Sequence, residues 1–235
     1  MSVDTDIFYV IIRMYIPISE RKNFHMQEYV MGNGAIALGA LAAGVNLVAG
    51  YPGTPSSEIL ETISKYRHDG VYIEWSVNEK AAMEVAAAAA YSGARAMVTM
   101  KQVGLNVAAD PLMSLAYVGV KGGMVIVSAD DPGPISSQTE QDTRRFADFC
   151  RIPVFDPSSP EEAYKMIGEA FEYSEKYNTP VLFRPTTRVC HAYASIDNCD
   201  SPSPKKYEGF VKDSKKWVIF PRLSFANHIM IEKRN

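Results

Sequence analysis

The hydrophobic positions of this chain form short, continuously apolar runs that alternate with segments of helical character from residue 33 onward. Continuous apolar runs separated by helices are typical of strands that are buried on both faces of a parallel sheet. The pattern therefore predicts an α/β fold with an open, mostly parallel sheet of about six strands and helices on both faces. The predicted strands are residues 45–49, 71–75, 94–100, 124–128, 152–155 and 180–183.

Capping residues predict where several helices begin. Asn33, Thr54 and Asn78 each precede a helical segment, where a side-chain oxygen satisfies a free backbone N–H group. Pro55 fits the first position of the helix that Thr54 would cap. A further helical stretch is predicted around residues 105–117, and an amphipathic helix is predicted over residues 161–176. These segments alternate with the six strands along the chain.

The same pattern divides the chain into three parts. Residues 1–25 show no settled periodicity and are expected to be a disordered or misassigned extension, with Met26 as a plausible true start. Residues 26–195 are predicted to form the folded domain. The pattern decays after Thr187, so residues 196–235 are expected to be a linker and a truncated tail without a convincing core.

Composition excludes several classes of protein. The net charge is −3 and no basic block is present, which argues against a nucleic-acid partner. The apolar run at residues 7–16 is too short for a membrane span and is interrupted by Arg13, so no membrane association is expected. The three cysteines form no CxxC pair, which favours reduced thiols and a cytoplasmic location. The four histidines lack metal-ligand spacing, so no metal site is predicted.

Polar and small residues follow four of the predicted strands. The carboxyl ends of parallel strands meet at one edge of a sheet, where ligands bind in open α/β folds. Taken singly, Thr54 is explained as a helix cap and Glu79 as an acid in a first helical turn. Four such strand ends together indicate a site. The residues are Pro52, Gly53 and Thr54 after the first strand, Glu79 after the second, Gln102 and Asn106 after the third, and the polar loop 130–142 after the fourth.

Two alternative sites are disfavoured by the same residues. The Gly32-x-Gly34 pair opens a helix instead of following a strand, so it is a poor dinucleotide fingerprint and a Rossmann-type dehydrogenase is disfavoured. Ser56 and Ser57 lack the Gly-x-Ser-x-Gly elbow of α/β hydrolases, which argues against a nucleophilic serine.

Three segments carry a resemblance to a known family. The segments GYPGTPSSEI at 50–59, EWSVNEKAAMEVAAAAAYSGARAMVTMKQVGLN at 74–106 and DDPGPISSQTEQDTR at 130–144 resemble the 2-oxoacid:ferredoxin oxidoreductases, which use thiamine diphosphate. Within that family the chain is most similar to the α subunit of indolepyruvate ferredoxin oxidoreductase, over residues 31–191. The resemblance implies a thiamine diphosphate-binding fold of the pyrimidine-domain type.

The resemblance also implies roles for individual residues. Glu79 matches the buried glutamate that faces N1′ of the aminopyrimidine and shares a proton with it. Thr54 matches a hydroxyl beside the substrate, and Pro52 and Gly53 line the ring. Gln102 and Asn106 are expected to contact cofactor or substrate. The Ala-rich helix gives Glu79 apolar surroundings whereas the helix N-terminus favours its charged form, and the sequence leaves the balance open.

One position departs from the pattern of the pyruvate-type relatives. Those proteins have an arginine after the fourth strand that holds the substrate carboxylate, and Asp130 stands at that point here. This departure favours an arylpyruvate substrate over pyruvate. Arg144 or Arg145 is the expected replacement, although both are also consistent with solvated helix charges.

The resemblance implies an enzyme component that is incomplete in this chain. The expected reaction is oxidative decarboxylation of indolepyruvate or another aryl 2-oxoacid to the acyl-CoA, with electrons passed to ferredoxin. The diphosphate, Mg²⁺ and [4Fe-4S] clusters are expected in a missing C-terminal part, and a β subunit is the expected partner. The chain alone is therefore expected to be inactive. The alternatives are a fragment of a pyruvate or 2-oxoglutarate ferredoxin oxidoreductase, or a truncated non-catalytic remnant.

Overall fold

The computed structural model describes residues 26–67, 69–198 and 203–234. The strands within these residues are β1 Met26–Met31, β2 Leu47–Gly50, β3 Tyr72–Trp75, β4 Ala96–Lys101, β5 Met124–Ala129, β6 Val154–Phe155, β7 Val181–Phe183 and β8 Tyr193–Asn198. The helices are α1 Gly32–Ala42, α2 Ser57–Tyr66, α3 Glu79–Tyr91, α4 Gln102–Val107, α5 Ala109–Val118, α6 Thr143–Cys150, α7 Pro160–Tyr177, α8 Thr187–His191, α9 Ser214–Trp217 and α10 Pro221–Arg234.

A six-stranded parallel sheet forms the centre of the fold, in the order β3-β2-β4-β5-β7-β6. The six predicted strands are all present in it, so the predicted fold class is confirmed. Strands β5 and β7 are buried along their whole length, and β4 is buried up to Lys101. Such strands need apolar side chains on both faces, which explains why continuous apolar runs identified them.

The helices cover both faces of this sheet. Helices α1, α2 and α7 pack on one face, where Ile36, Ile59 and Phe171 belong to a common apolar cluster. Helices α3 to α6 pack on the opposite face, where Met83 and Leu112 belong to a second cluster. Both clusters consist of residues that are almost fully excluded from water, so the hydrophobic effect holds the helices on the sheet.

The helix starts show one correct prediction and two wrong ones. Asn78 caps α3, because its Oδ1 accepts a hydrogen bond of 2.9 Å from the amide of Ala81. Asn33 does not cap α1, since the helix already begins at Gly32 and directly follows β1. Thr54 does not cap α2 and Pro55 is not its first residue, because the turn continues to Ser56 before the helix begins at Ser57.

A two-stranded antiparallel ribbon of β1 and β8 was not predicted. In β8 only alternate residues are buried, Ala194 and Ile196, so this strand has no continuous apolar run that would predict it. Ile196 packs on Ala35 and Leu38 of α1. The ribbon is therefore a half-buried antiparallel pair, in which polar residues alternate with apolar ones.

The described C-terminal residues have more structure than the sequence indicated. In α10, Ile231 is buried, and the Nδ2 group of Asn227 donates a hydrogen bond of 2.8 Å to the carbonyl of Tyr117. Helix α10 therefore packs on the domain, in a part of the chain where the sequence showed no convincing core. The division into three parts stays a prediction, and β8 continues past residue 195. The predicted extension 1–25 lies outside the described residues.

Three general features of the described residues bear on function. None of their helices is long and apolar enough to cross a membrane. Their His, Cys, Asp and Glu side chains do not gather in groups of three that could hold a metal ion. Burial raises the pKa of the Cys150 thiol to about 12, so this cysteine stays protonated and is not a candidate nucleophile at neutral pH.

Candidate functional site

The connections of the central sheet place a crevice between β2 and β4. These strands are neighbours, but the helix that follows β2 packs on one face and the helices that follow β4 pack on the other. The chain therefore diverges at the carboxyl ends of this strand pair. Ligands of open α/β sheets bind at such switch points.

The turn after β2 presents a mostly exposed surface to this crevice. Tyr51, Pro52 and Thr54 are exposed, whereas Pro55 and Ser56 are buried beneath them. The Thr54–Pro55 peptide bond is cis. Two local hydrogen bonds fix the turn, since the amide of Gly53 donates to Ser57 Oγ at 2.9 Å and Ser56 Oγ donates to the Gly53 carbonyl at 3.0 Å. Thr54 thus has its hydroxyl available at the predicted substrate position.

Asn33 holds this turn from below. It is fully buried in the first turn of α1, and its Nδ2 group donates to the carbonyl of Pro55 at 2.6 Å and to Glu58 Oε2 at 2.9 Å. Sequence reasoning assigned Asn33 to helix capping and missed this role. An amide side chain within an otherwise small and apolar helix was the available signal, because buried polar groups need hydrogen-bond partners.

Glu79 is the first residue of α3 and is 8% exposed. Within the described residues its carboxylate makes no hydrogen bond or ion pair. Gly104 of α4 lies directly against it, and a Cβ atom added at Gly104 would lie 2.5 Å from Glu79 Oε1. The glycine therefore leaves room for the carboxylate. Removing a carboxylate from water without a partner is costly, so this arrangement favours a ligand that shares a proton with it.

Gln102 supplies a second unpaired polar group. It is fully buried at the start of α4, and its Nε2 group donates to the carbonyl of Thr139 at 3.2 Å. Its Oε1 atom is buried without a hydrogen-bond partner among the described residues. Asn106 lies one turn further along α4 and is exposed. Gln102 therefore places an unpaired hydrogen-bond acceptor inside the site, and Asn106 places an exposed amide group at the margin of the site.

Contacts join the ends of four strands into one site. The stem of Lys101, at the end of β4, lies on Gly53 of the turn after β2. Glu79, after β3, lies on Gly104, and Gln102 reaches the loop after β5 through Thr139. The predicted residues Pro52, Gly53, Thr54, Glu79 and Gln102 therefore belong to a connected surface. Sequence reasoning did not assign Gly104 or Lys101 to the site.

The loop after β5 is anchored by two buried aspartates. Asp130 accepts hydrogen bonds from the amide and the hydroxyl of Thr143, at 3.0 and 2.7 Å, and pairs with Arg184 Nε at 2.7 Å. Burial raises the pKa of Asp130, and the Arg184 and Thr143 contacts act against that rise. Arg184 also contacts Asp156, at 3.3 Å. The charges in this region are therefore paired with one another.

Asp131 fixes the opposite side of the same loop. Its Oδ1 accepts a hydrogen bond of 2.7 Å from the hydroxyl of Thr187, and its Oδ2 accepts one of 2.8 Å from the amide of Ser136. Burial acts to raise the pKa of Asp131, but these hydrogen bonds outweigh it and lower the pKa to about 2. Asp131 is therefore a charged anchor at neutral pH.

The two arginines proposed for the substrate lie at the start of α6. Arg144 is already engaged, because its guanidinium contacts Asp142 at 2.8 Å and Asp156 at 3.4 Å. Arg145 is exposed and forms no ion pair within the described part of the chain. Their role with substrate stays a prediction, and the structure gives Arg144 carboxylate partners of its own.

Comparisons with known proteins give a family match over most of the chain. Residues 38–216 match the family described as pyruvate flavodoxin/ferredoxin oxidoreductase, thiamine diphosphate-binding. The chain is 48% identical over 208 residues to the indolepyruvate oxidoreductase subunit IorA of Thermococcus kodakarensis, covering 86% of this chain and 32% of that protein. It is 49% identical over 175 residues to the IorA subunit of Archaeoglobus fulgidus, covering 72% of this chain and 28% of that protein. The chain thus spans about a third of the length of these relatives.

A solved structure supports the fold. The 2-oxoglutarate:ferredoxin oxidoreductase from Magnetococcus marinus, determined with 2-oxoglutarate, coenzyme A and succinyl-CoA bound, superimposes with a TM-score of 0.66. It is 18% identical in sequence, and the match covers 77% of this chain and 34% of that one. At this level of identity the likeness concerns the fold.

Proposed function

The chain belongs to the pyruvate flavodoxin/ferredoxin oxidoreductase, thiamine diphosphate-binding family, and we propose that it forms the pyrimidine-binding part of a thiamine active site. The larger protein would be the α subunit of an indolepyruvate:ferredoxin oxidoreductase. The observation that carries the proposal is the pair of unsatisfied polar groups at the β2–β4 crevice, the Glu79 carboxylate and the Gln102 Oε1 atom.

These groups fit the aminopyrimidine of thiamine. Gly104 has no side chain, which leaves room for the Glu79 carboxylate at the crevice. An aminopyrimidine ring offers a ring nitrogen that can share a proton with a carboxylate and an amino group that donates hydrogen bonds. Gln102 Oε1 is an acceptor without a donor in the described structure. Both orphan groups would thereby gain partners.

Each residue of the site has a distinct role in this proposal. Thiamine diphosphate, when bound, supplies a thiazolium carbon that adds to the 2-oxoacid carbonyl and accepts the charge left by decarboxylation. Glu79 holds a proton at N1′, and Gln102 orients the ring. Pro52 lines the ring, and the exposed hydroxyl of Thr54 contacts the substrate. Asn33 keeps the Thr54 turn in place through the Pro55 carbonyl.

The proposed substrate is indolepyruvate or a related aryl 2-oxoacid. The reaction joins the 2-oxoacid, coenzyme A and two oxidised ferredoxins to give the acyl-CoA, carbon dioxide, a proton and two reduced ferredoxins. The relatives that are 48% and 49% identical are named indolepyruvate oxidoreductases, which supports this choice over pyruvate. Asp130 is consistent with it, because a buried, paired aspartate stands where pyruvate-type relatives are expected to have an arginine.

The rest of the active site would come from the remainder of the α subunit and from a β subunit. The diphosphate, Mg²⁺ and the [4Fe-4S] clusters are assigned to the two thirds of the α subunit that this chain does not span. A β subunit and ferredoxin complete the proposed assembly, in the cytoplasm. Tyr51, Trp75 and Val77 are exposed apolar side chains around the site, which supports a covering domain there. The chain alone is expected to be inactive.

Reduction of a viologen dye by indolepyruvate and coenzyme A tests the proposal. The assay uses the assembled enzyme, in which this chain is joined to the remainder of the α subunit and paired with the β subunit. Glu79→Gln is expected to lower the rate at least ~100-fold, since positioned proton transfer contributes about that much. Glu84→Gln, an exposed change on the same helix, is the matched control and should stay within about twofold.

Two outcomes count against the proposal. A rate within threefold of wild type for Glu79→Gln would show that the assigned proton role is wrong. A complete wild-type assembly that is inert with aryl 2-oxoacids, pyruvate and 2-oxoglutarate would favour a non-catalytic role. Activity with 2-oxoglutarate or pyruvate alone would correct the substrate and leave the cofactor site standing.

A further inference from the structure

Lys101 is the last residue of β4 and lies at the switch point described above. It shares a face of the sheet with Met97 and Thr99, because alternate residues of a strand point the same way. That is the face on which α2 packs. The side chain therefore leaves the sheet on the side of the turn that carries Thr54, and it is half-buried.

The stem of Lys101 rests on Gly53 of that turn. A Cβ atom added at Gly53 would lie 3.1 Å from both Cγ and Cδ of the lysine and 3.6 Å from its Cβ. These spacings are tight, so the stem covers the glycine and a larger residue at position 53 would displace it. Gly53 thus acts as a flat support that fixes the lysine stem next to Thr54.

The ammonium group has no carboxylate partner in the described structure. Two arginines near the carboxyl edge are paired, Arg184 with Asp130 and Asp156, and Arg144 with Asp142, whereas Arg145 is exposed and forms no ion pair in the described structure. Lys101 forms no ion pair and no hydrogen bond within residues 26–67, 69–198 and 203–234. The stem is fixed on Gly53 and the ammonium has no charged partner, so an anionic ligand at the switch point would gain a charge-assisted hydrogen bond from it.

We propose that Lys101 binds the carboxylate of the 2-oxoacid substrate. This rests on the proposed function, which requires a 2-oxoacid beside Thr54 until its carboxylate leaves as carbon dioxide. The lysine would position that carboxylate and contribute to substrate affinity. Because it acts on a group that is charged in the free substrate and neutral in the product, its main effect falls on binding of substrate.

Steady-state kinetics of the assembled enzyme test this role. Lys101→Met keeps the stem on Gly53 and removes the charge. It should raise KM for the aryl 2-oxoacid at least ~10-fold, the effect of losing one charge-assisted contact, with a smaller change in kcat. KM for coenzyme A and the Kd for thiamine diphosphate should stay within about twofold. Lys101→Arg should recover part of the affinity. Lys65→Met, an exposed lysine on α2, is the matched control.

The alternatives give different results. A rise in KM for coenzyme A or in Kd for thiamine diphosphate, with KM for the 2-oxoacid unchanged, would overturn the proposal and assign Lys101 to a phosphate. Unchanged constants throughout would also overturn it. If the Met variant does not fold, Lys101→Gln and Lys101→Arg replace it in the same comparison.

Failure of the proposed function is separable from failure of this inference. An inert wild-type assembly would contradict the function, whereas the lysine would still be tested by equilibrium titration of the assembly with the aryl 2-oxoacid. In that titration Lys101→Met should weaken binding at least ~10-fold if the lysine holds the carboxylate. Equal binding by wild type and variant would overturn the assignment without any appeal to turnover.

Discussion

Two regions at the carboxyl edge of the same parallel sheet have opposite electrostatic character. Between β5, β7 and β6, Asp130 and Arg184 are buried and paired with each other, and Arg184 also contacts the more exposed Asp156. Between β2 and β4, Glu79 and Gln102 Oε1 are buried and have no partner in the described structure. Both regions are rich in polar residues, but only in the second is a carboxylate buried without a partner among the described residues. The hydroxyl of Ser128 on β5 also lacks a partner, so the contrast concerns the charged groups.

This difference shows how to separate structural from functional polar residues. Buried polar groups in folded proteins are almost always hydrogen-bonded, so an orphan group calls for a specific explanation. The polar residues of the paired region have a structural role, because each charge has partners that hold the loop after β5 in place. The unpaired region needs a ligand to satisfy it, and an aminopyrimidine provides a matching ring nitrogen and amino group.

The largest expected effect comes from breaking the paired region. Asp130→Ala leaves the Arg184 guanidinium buried without its closest carboxylate, and should lower the free energy of unfolding by about 3–5 kcal/mol. Chemical denaturation of the assembled enzyme measures this loss. Asp110→Ala removes the exposed partner of Lys80 and should cost far less, because solvent screens this pair. Equal losses for the two variants would show that the Asp130 network does not stabilise the fold.

A smaller effect is expected from filling the unpaired region. Gly104→Ala places a Cβ atom against the Glu79 carboxylate and should displace it, because the added atom would lie 2.5 Å from Oε1. The viologen assay should show a loss of about 100-fold, as misplacement by about 1 Å at a reacting group produces. Gly168→Ala, whose added Cβ would meet only Ala43 at 4.0 Å, is the control and should remain fully active. Full activity of Gly104→Ala would mean that Glu79 does not need this space.

The smallest effect is a pH dependence in the anchored loop. The folded-state pKa of Asp131 is about 2, below its ordinary value of 3.8, so its stabilising contribution is complete above pH 4 and is lost as the pH falls towards 2. Asp131→Asn should therefore cost about 1–2 kcal/mol at pH 7 and much less near pH 2.5. Denaturation midpoints at the two pH values measure the change. A cost that does not depend on pH would show that the charge of Asp131 contributes nothing.

The sheet could be predicted from the sequence, because continuous apolar runs identified all six parallel strands. The polar residues that follow these strands predicted a site at the carboxyl edge, and that site stays a prediction. The β1–β8 ribbon was missed because its buried residues alternate with polar ones, and β1 precedes the part of the chain where the pattern becomes regular.

The roles of individual residues were harder to predict because they depend on contacts between distant segments. Thr54 has the same local sequence whether it caps a helix or lies in a turn, and the contact of the distant, buried Asn33 with the Pro55 carbonyl is visible only in the structure. Gly104 and Lys101 were visible as residues after a strand, but their contacts with Glu79 and Gly53 join segments that are 25 and 48 residues away in sequence. The local pattern of residues along the chain does not predict contacts between segments so far apart in sequence.

The most direct test of the site is the rate at which the C2 proton of bound thiamine diphosphate exchanges with deuterium in the assembled enzyme. Acid quenching followed by proton NMR measures this rate without substrate, coenzyme A or ferredoxin. If Glu79 holds the proton at N1′, Glu79→Gln should slow the exchange at least ~100-fold, while Glu84→Gln should leave it unchanged. Equal exchange rates in wild type and Glu79→Gln would contradict the assignment of the β2–β4 crevice as the pyrimidine site.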